Sequence, residues 1–183
     1  MPDLVFRFAT DDDVPALHAL IERAYRGEEA LKSWTSEASL LSAPRTSQPE
    51  LREMMANTDR RLVIAERDGH LIGCALIERR GENGYFGMLT IDPTLQTVGL
   101  GTALLRRIEA DVQQLWGCTA MTLRVVSLRS EMIAWYERRG YSLTGNHDAF
   151  PFDLHPASGR TDFDFVEMKR SFSAGENQNA ALA

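Results

Sequence analysis

The sequence predicts an α+β fold: one mixed, mostly antiparallel central sheet of six to seven strands, flanked by about four helices. Short β-like runs and amphipathic helical stretches follow one another without the regular strand–helix repeat of a parallel sheet. The chain has 183 residues, close to the size of one domain. Its hydrophobic content of 44% is ordinary for a globular protein with a buried core.

The N-terminal elements are a strand and a helix. Residues 4–8 have the alternation of a short strand. Thr10 followed by Asp13 resembles a capping box, which predicts a helix that ends near Gly27. The next segment, residues 26–47, has no clear period and carries turn-forming residues. We expect a long loop there, and long loops inside compact domains often serve binding.

The elements that follow are predicted from capping, turn and periodicity signals. Ser47 with Glu50 repeats the capping pattern for a second helix, through about residue 57. Three strands come next, the first two joined by a tight turn, over residues 62–66, 71–78 and 85–91. The remaining helices cover residues 99–115 and 130–139, and the remaining strands cover residues 119–126, 141–144 and 163–168. We assign residues 1–170 to one domain and predict that residues 171–183 form a disordered tail.

Composition argues against several classes of protein. The net charge is −6 and no extended basic stripe occurs, so nucleic acid is not expected as a partner. Paired arginines such as Arg138-Arg139 are interpreted as solvated ends of elements. No apolar run approaches the roughly 18 residues of a membrane helix, and the N-terminus lacks the zones of a secretory signal, so we expect a cytoplasmic protein without membrane attachment. Cys74 and Cys118 lack metal-ligand spacing, so they are expected to be buried thiols, and no metal is expected.

The segment of residues 89–110 raises the question of what its glycines bind. A strand passes through Gly99 and Gly101 into a helix, and such a bend often holds a phosphate group. A Walker A loop would require a lysine after the second glycine, where Thr102 stands, so that interpretation fails. The dinucleotide fingerprint G-x-G-x-x-G is a weak match, because its third glycine would fall on Leu104 and the βαβ unit is missing.

A third interpretation is the pyrophosphate loop Gln/Arg-x-x-Gly-x-Gly/Ala, matched by Gln96, Gly99 and Gly101. A second motif lies in residues 123–141, which end in the pattern Tyr-Glu-x-x-Gly-aromatic at residues 136–141. With these two motifs the chain resembles the GNAT family of acyl-CoA-dependent N-acetyltransferases from about residue 5 to residue 168. The resemblance implies a GNAT-like sheet whose two central strands splay apart, with acetyl-CoA as co-substrate between them.

The resemblance also assigns residues to the co-substrate. Backbone amides of a glycine-rich helix start can bind pyrophosphate, and unpaired strand groups can pair with pantetheine. Gly87 is compatible with a bulge in that strand or with plain packing. Arg129 stands where many relatives have asparagine, and it could pair with a phosphate or an acidic substrate. The residues expected to contact acetyl-CoA are Leu89, Thr90, Ile91, Gln96, Thr97, Val98, Gly99, Leu100, Gly101, Thr102 and Arg129.

The catalytic assignments also follow from the resemblance. Tyr136 occupies the position that the family often uses for the acid that protonates the departing thiolate, and a phenol stays protonated at neutral pH. A core aromatic residue at helical spacing is the competing interpretation. The oxyanion donor is expected to be the backbone N–H of Ile91 or a neighbour. The strand lacks the glutamate that some relatives carry, so the base stays open among water and five side chains: Glu28, Glu29, Glu78, Glu82 and His147.

The acceptor is expected to contact the loop after the first helix and the loop before the last strand. The candidate residues are Tyr25, Glu28, Trp34, Thr35, Phe150 and Phe152. We predict transfer of an acetyl group to a primary amine of a small molecule by direct attack in a ternary complex. A non-catalytic acyl-CoA sensor and a peptide or protein N-acetyltransferase are the alternatives, and the resemblance admits a homodimer.

Overall fold

The computed structural model describes residues 4–27, 40–41, 43–95, 99–155 and 161–173. Its helices are α1 (Val14–Arg26), α2 (Gln48–Ala56), α3 (Leu100–Trp116) and α4 (Ser130–Glu137). Its strands are β1 (Leu4–Phe8), β2 (Arg60–Arg67), β3 (His70–Arg80), β4 (Asn83–Ile91), β5 (Ala120–Val126), β6 (Ser142–Ala149) and β7 (Asp164–Ser171). The predicted α+β fold class is confirmed by this architecture.

The strands form one seven-stranded sheet in the order β1-β2-β3-β4-β5-β7-β6. Every neighbouring pair is antiparallel except β4 and β5, which run parallel at the centre. Parallel neighbours need a crossover connection, and α3 supplies it. The start of α3 therefore lies next to the end of β4, in the middle of the sheet.

Both faces of the sheet are covered by helices. Alternate residues of β2 point to opposite faces, as the period of a strand requires. Val63 and Ala65 join the core cluster under α3, whereas Leu62 and Ile64 join the cluster under α1 and α2. The apolar residues of α3 recur at helical spacing and are buried against the sheet. The sheet thus separates an α1/α2 side from an α3/α4 side.

Several element ends differ from the sequence prediction. The capping box of Thr10 and Asp13 closes a short 3-10 turn, and α1 begins only after it. Strand β6 continues five residues past the predicted end at residue 144, and it ends at Ala149 because its pairing with β7 continues there. Strand β7 reaches Ser171, and the N–H of Phe172 donates to the Thr119 carbonyl at 2.9 Å. None of the helices in the described ranges has the length and apolar character needed to cross a bilayer.

The centre of the sheet contains a bulge and a gap. Cys74 pairs with Thr90 and Leu76 pairs with Gly87, so one residue of β3 faces two residues of β4. The extra residue is accommodated at Met88, which has a φ of +50° and is buried. Met88 therefore adopts the left-handed backbone conformation of the bulge. Gly87, the residue considered for this role, lies one position before it and has no positive φ. Strands β4 and β5 stop pairing after Tyr85, just before this bulge.

Candidate active site

A cavity of about 430 Å³ opens where the two parallel strands separate. Strands β4 and β5 pair only from Asn83↔Ala120 to Tyr85↔Thr122. Residues 85–91 of β4 and residues 123–126 of β5 line the two sides of the cavity. A cavity of this size is typical of sites for small molecules. The C-terminal end of α1, the start of α3, helix α4 with its flanking residues, Arg45 and Phe165 complete the described part of the wall.

The N-terminus of α3 forms one end of the cavity. Gly99 precedes the helix with a φ of +74°, a backbone conformation that favours glycine, and an added Cβ there would meet no atom within 4 Å. The carbonyl of Gly99 accepts hydrogen bonds from the amides of Thr102 and Ala103. The preceding amides have no intrahelical acceptor, so they are available to an anion. Gly99, Gly101 and Thr102 line the cavity.

Not every residue of the predicted loop has a visible role. The side chain of Leu100 is only 4% exposed and packs in the core, so this residue can offer a ligand only its main chain. Gln96, Thr97 and Val98 lie outside the described residues. The same is true of the acceptor candidates Glu28, Trp34 and Thr35, and of the base candidate Glu29.

Arg139 adds a cation beside this helix start. Its Nε and Nη2 donate to Thr102 Oγ1 at 3.1 and 2.7 Å, and its Nη1 donates to the Trp135 carbonyl at 2.8 Å. The guanidinium lies over the Trp135 ring, 3.5 Å from the centroid. Burial, and then neighbouring Arg138, lower the pKa of Arg139, yet an arginine stays charged at neutral pH. Arg139 was expected to be a solvated helix end; the structure places it on the cavity wall.

Tyr136 lies in the same wall, on α4. It is 3% exposed and packs edge-on against Phe86, Trp135 and Tyr141. Its hydroxyl makes no hydrogen bond with any residue in the described part of the chain, so its proton is available to a ligand. Burial, and then the phenol of Tyr25, raise the pKa of Tyr136 well above its ordinary value. The hydroxyl is therefore protonated across the physiological pH range.

The open end of β4 is held from the α1 side. The hydroxyl of Tyr25 donates to the Leu89 carbonyl at 3.2 Å, and Thr90 Oγ1 donates to the Met88 carbonyl at 2.7 Å. Leu89, Thr90 and Ile91 all line the cavity. Tyr25 lines it as well, so one predicted acceptor residue and three predicted co-substrate residues meet at this point.

Arg129 is brought to the cavity by the start of α4. It occupies the N-cap position with φ −90° and ψ 61°, and its N–H donates to the Val126 carbonyl at 2.8 Å. The predicted acceptor residues Phe150 and Phe152 do not line the described wall. They pack with Phe163 in a separate apolar cluster, which adjoins the cavity at Val126 and Phe165; the ring centroids of Phe150 and Phe165 are 5.0 Å apart.

The described candidates for a base lie away from the cavity wall. Glu78 pairs with Arg60 and Arg80, and Glu82 lies in an exposed turn. His147 Nδ1 lies 2.7 Å from Asp164 Oδ2. Over the described residues, the wall contains four arginines and no carboxylate or imidazole. An amine in the described part of this cavity would meet no side-chain base.

The cysteines are free and buried, and the described residues contain no cluster of three side chains able to hold a metal ion. Burial raises the pKa of Cys74 to about 12, and burial also raises the pKa of Cys118. Neither thiol has the lowered pKa of a nucleophile.

Comparison with known proteins agrees with this arrangement. The sequence model of the Acetyltransferase (GNAT) family matches residues 28–141. An IAA acetyltransferase of Azospirillum brasilense is 30% identical over 95 residues, which are 51% of this chain and 61% of that protein. The chain thus matches less than two thirds of that relative's length.

Two solved structures show the same fold. The ribosomal-protein-S18-alanine N-acetyltransferase of Escherichia coli aligns with a TM-score of 0.71 at 18% identity, over 93% of this chain and 95% of that chain. A spermidine N-acetyltransferase chimera from Vibrio cholerae and hSSAT aligns with a TM-score of 0.69 at 20% identity, over 98% of this chain and 99% of that chain. The chain belongs to the GNAT family of acetyltransferases.

Proposed function

We propose that the protein transfers the acetyl group of acetyl-CoA to a primary amine of a small molecule, by direct attack within a ternary complex. The observation that carries the proposal is the Tyr136 hydroxyl, which has no hydrogen-bond partner among the described residues and lies in a cavity between two separated strands, beside the amides of a helix N-terminus. The cavity volume of about 430 Å³ favours a small acceptor.

The first step in this proposal is binding of acetyl-CoA. Its pyrophosphate would accept hydrogen bonds from the first amides of α3, with Arg139 supplying a positive charge fixed against Trp135. Its pantetheine arm would lie between β4 and β5. After Tyr85 and Thr122 the main-chain groups that face this gap do not pair across it and can bind the arm. The glycines at positions 99 and 101 fit this role, since no side chain at either position obstructs the helix start.

The second step is acetyl transfer. The amine nitrogen attacks the thioester carbonyl carbon, an N–C bond forms, and the carbonyl oxygen gains negative charge that a β4 amide such as that of Ile91 would stabilise. The C–S bond then breaks, and Tyr136 donates its proton to the thiolate. Burial raises the pKa of this phenol, so it remains protonated until the thiolate forms. We propose that the amine loses its proton to water, because the described wall holds no base, and that the Tyr136 phenolate regains a proton from water.

The test is incubation of the purified protein with acetyl-CoA and a panel of primary amines. Free thiol is followed against time, and each acetylated product is identified by mass spectrometry. The expected result is thiol release that depends on the amine, with one acetylated product per thiol. Binding of acetyl-CoA without thiol release for any amine or peptide would identify an acyl-CoA sensor instead. Release with a peptide N-terminus alone would identify a peptide or protein N-acetyltransferase.

A further inference from the structure

Two of the four arginines on the described wall, Arg45 and Arg139, lie on opposite sides of the sheet. Arg139 and the N-terminus of α3 lie on the α3/α4 side, and the phosphates of acetyl-CoA would be their counter-ions in the proposed function. Arg45 lines the same cavity from the α1/α2 side, where it precedes α2 and lies next to α1.

Arg45 is held in place by its own main chain. The amides of Arg45 and Thr46 both donate to Glu22 Oε1, at 2.7 and 2.9 Å, which attaches this segment to α1. Arg26 Nε donates to the Ala43 carbonyl at 2.6 Å and attaches the segment to the C-terminal end of the same helix. The segment is thus attached to the helix at three backbone positions, and a fixed cation loses less entropy when it binds an anion.

The guanidinium of Arg45 lies over the ring of Tyr25, which also lines the cavity. Its Cζ lies 5.2 Å from the ring centroid of Tyr25, whose hydroxyl donates to the Leu89 carbonyl. No carboxylate in the described part of the chain pairs with this guanidinium, whereas Arg124, also on the wall, pairs with Asp148 at 2.9 Å. Arg45 is half-buried, and a ligand carboxylate is a counter-ion that its guanidinium can bind.

We propose that the acceptor is a small amine that also carries a carboxylate, as an α-amino acid does, and that Arg45 binds this carboxylate. The inference rests on the proposed function. The planar guanidinium can donate two parallel hydrogen bonds to a carboxylate, which places the neighbouring amine near Leu89. A polyamine would bring further positive charge against the arginines of the wall and is disfavoured.

The test compares matched acceptors. The panel contains the standard α-amino acids, their primary amides, the amines that lack the carboxyl group, and spermidine. We expect a carboxylate acceptor to exceed its amide and its decarboxylated amine by at least about 10-fold in kcat/KM. The variant Arg45→Gln should lower kcat/KM for that acceptor by about 10- to 100-fold, with unchanged acetyl-CoA affinity and little change for the decarboxylated amine. The variant Arg45→Lys should retain part of the preference, because it keeps the charge.

The matched control is Arg52→Gln, which removes a nearby arginine that pairs with Asp11 outside the cavity. This variant should leave kcat/KM unchanged for both the carboxylate acceptor and the decarboxylated amine. Preference for spermidine or for the decarboxylated amines in the wild type, or an unchanged ratio in Arg45→Gln, would overturn the role of Arg45 and leave the proposed function intact. If no amine releases thiol although acetyl-CoA binds, the proposed function fails and this inference fails with it.

Discussion

Strands β4 and β5 differ sharply between their first and last residues. From Asn83↔Ala120 to Tyr85↔Thr122 they form a parallel ladder, and the side chains around it are packed against α3. A few residues later the same strands line a cavity, and the hydroxyl of Tyr136 has no partner in the described part of the chain. One pair of strands therefore contains both a structural half, residues 83–85, and a cavity half, residues 86–91.

The difference shows how a sheet can make a binding site without a separate loop. In the structural half, backbone groups of one strand satisfy those of the next. In the cavity half, the bulge at Met88 shifts the register of β4, and the unmatched groups must be satisfied by water or by a ligand. Changes in the cavity half should then alter function more than stability, and changes elsewhere should do the reverse.

The largest effect is expected for Tyr136→Phe. This change keeps the ring contacts with Phe86 and removes only the proton donor, so kcat should fall by about 10²- to 10⁴-fold while acetyl-CoA affinity changes little. Tyr141→Phe is the matched control, because its buried hydroxyl donates to Glu109 at 2.7 Å. It should lower the free energy of unfolding by about 1–3 kcal/mol and leave kcat near normal. Full turnover in Tyr136→Phe would mean that Tyr136 is only a core residue.

The next effect concerns the helix start. Gly99→Glu should reduce acetyl-CoA affinity at least about 10-fold, because a carboxylate would occupy the anion position at the amides of α3. Gly117→Glu is the control: it has a similar left-handed backbone, φ +64°, at the other end of the same helix, with no atom near an added Cβ. Titration of each folded variant with acetyl-CoA measures the difference. Equal affinities in the two variants would contradict a pyrophosphate site at Gly99.

Substitution of two glycines of β4, Gly84 in the structural half and Gly87 in the cavity half, tests the difference between the halves directly. An added Cβ at Gly84 would lie 2.9 Å from Met121 Sδ and 3.0 Å from Val112 Cβ, whereas at Gly87 the nearest atom is the Tyr85 hydroxyl at 3.4 Å. Gly84→Ala should therefore lower the free energy of unfolding by about 1–3 kcal/mol through overpacking. Gly87→Ala should change it by less. Denaturant unfolding measures both, and an equal loss would remove the distinction between the halves.

The smallest effect lies far from the cavity and concerns pH. The hydrogen bonds from Arg7, which also pairs with Glu66, lower the pKa of Asp13 to about 2. The pKa of Asp13 in the folded protein lies below the ordinary value of about 3.8. Its ion pair with Arg7 therefore stabilises the fold above pH 4, and this stabilisation is lost as the pH falls toward 2. Asp13→Asn should cost about 1–2 kcal/mol of unfolding free energy at pH 7, after allowance for the partial exposure of Arg7.

The control for this prediction is the acetyl-CoA affinity of the variant, which should not change. Acetyl-CoA affinity of Asp13→Asn at pH 7 should equal that of the wild type, since Asp13 does not line the cavity. The difference in unfolding free energy between the two proteins should shrink below pH 3. A difference that stays constant down to pH 2 would show that the ion pair contributes nothing to it.

Much of the fold was predictable because its signals are local. The capping pair of Ser47 and Glu50 begins α2 as expected, and Gly99 precedes α3. The extension of β6 to Ala149 was missed, because its residues are nearly all exposed and polar and only pairing with β7 makes them a strand. The residue that adopts the bulge conformation was also missed, since Met88 has no sequence signal for a positive φ.

The sequence by itself determined the periodic elements, the glycine-rich helix start and the Tyr136 motif, because these patterns depend on residues a few positions apart. Only the tertiary structure decided which side chains share the cavity. Tyr25 meets Leu89 across 64 positions, and Arg139 meets Thr102 across 37. Such contacts arise from how α1, α3 and α4 pack on the sheet, and a local pattern carries no information about a partner that the fold brings near. The same packing brought Arg45 and Arg139 to the cavity wall and left Phe150 behind it.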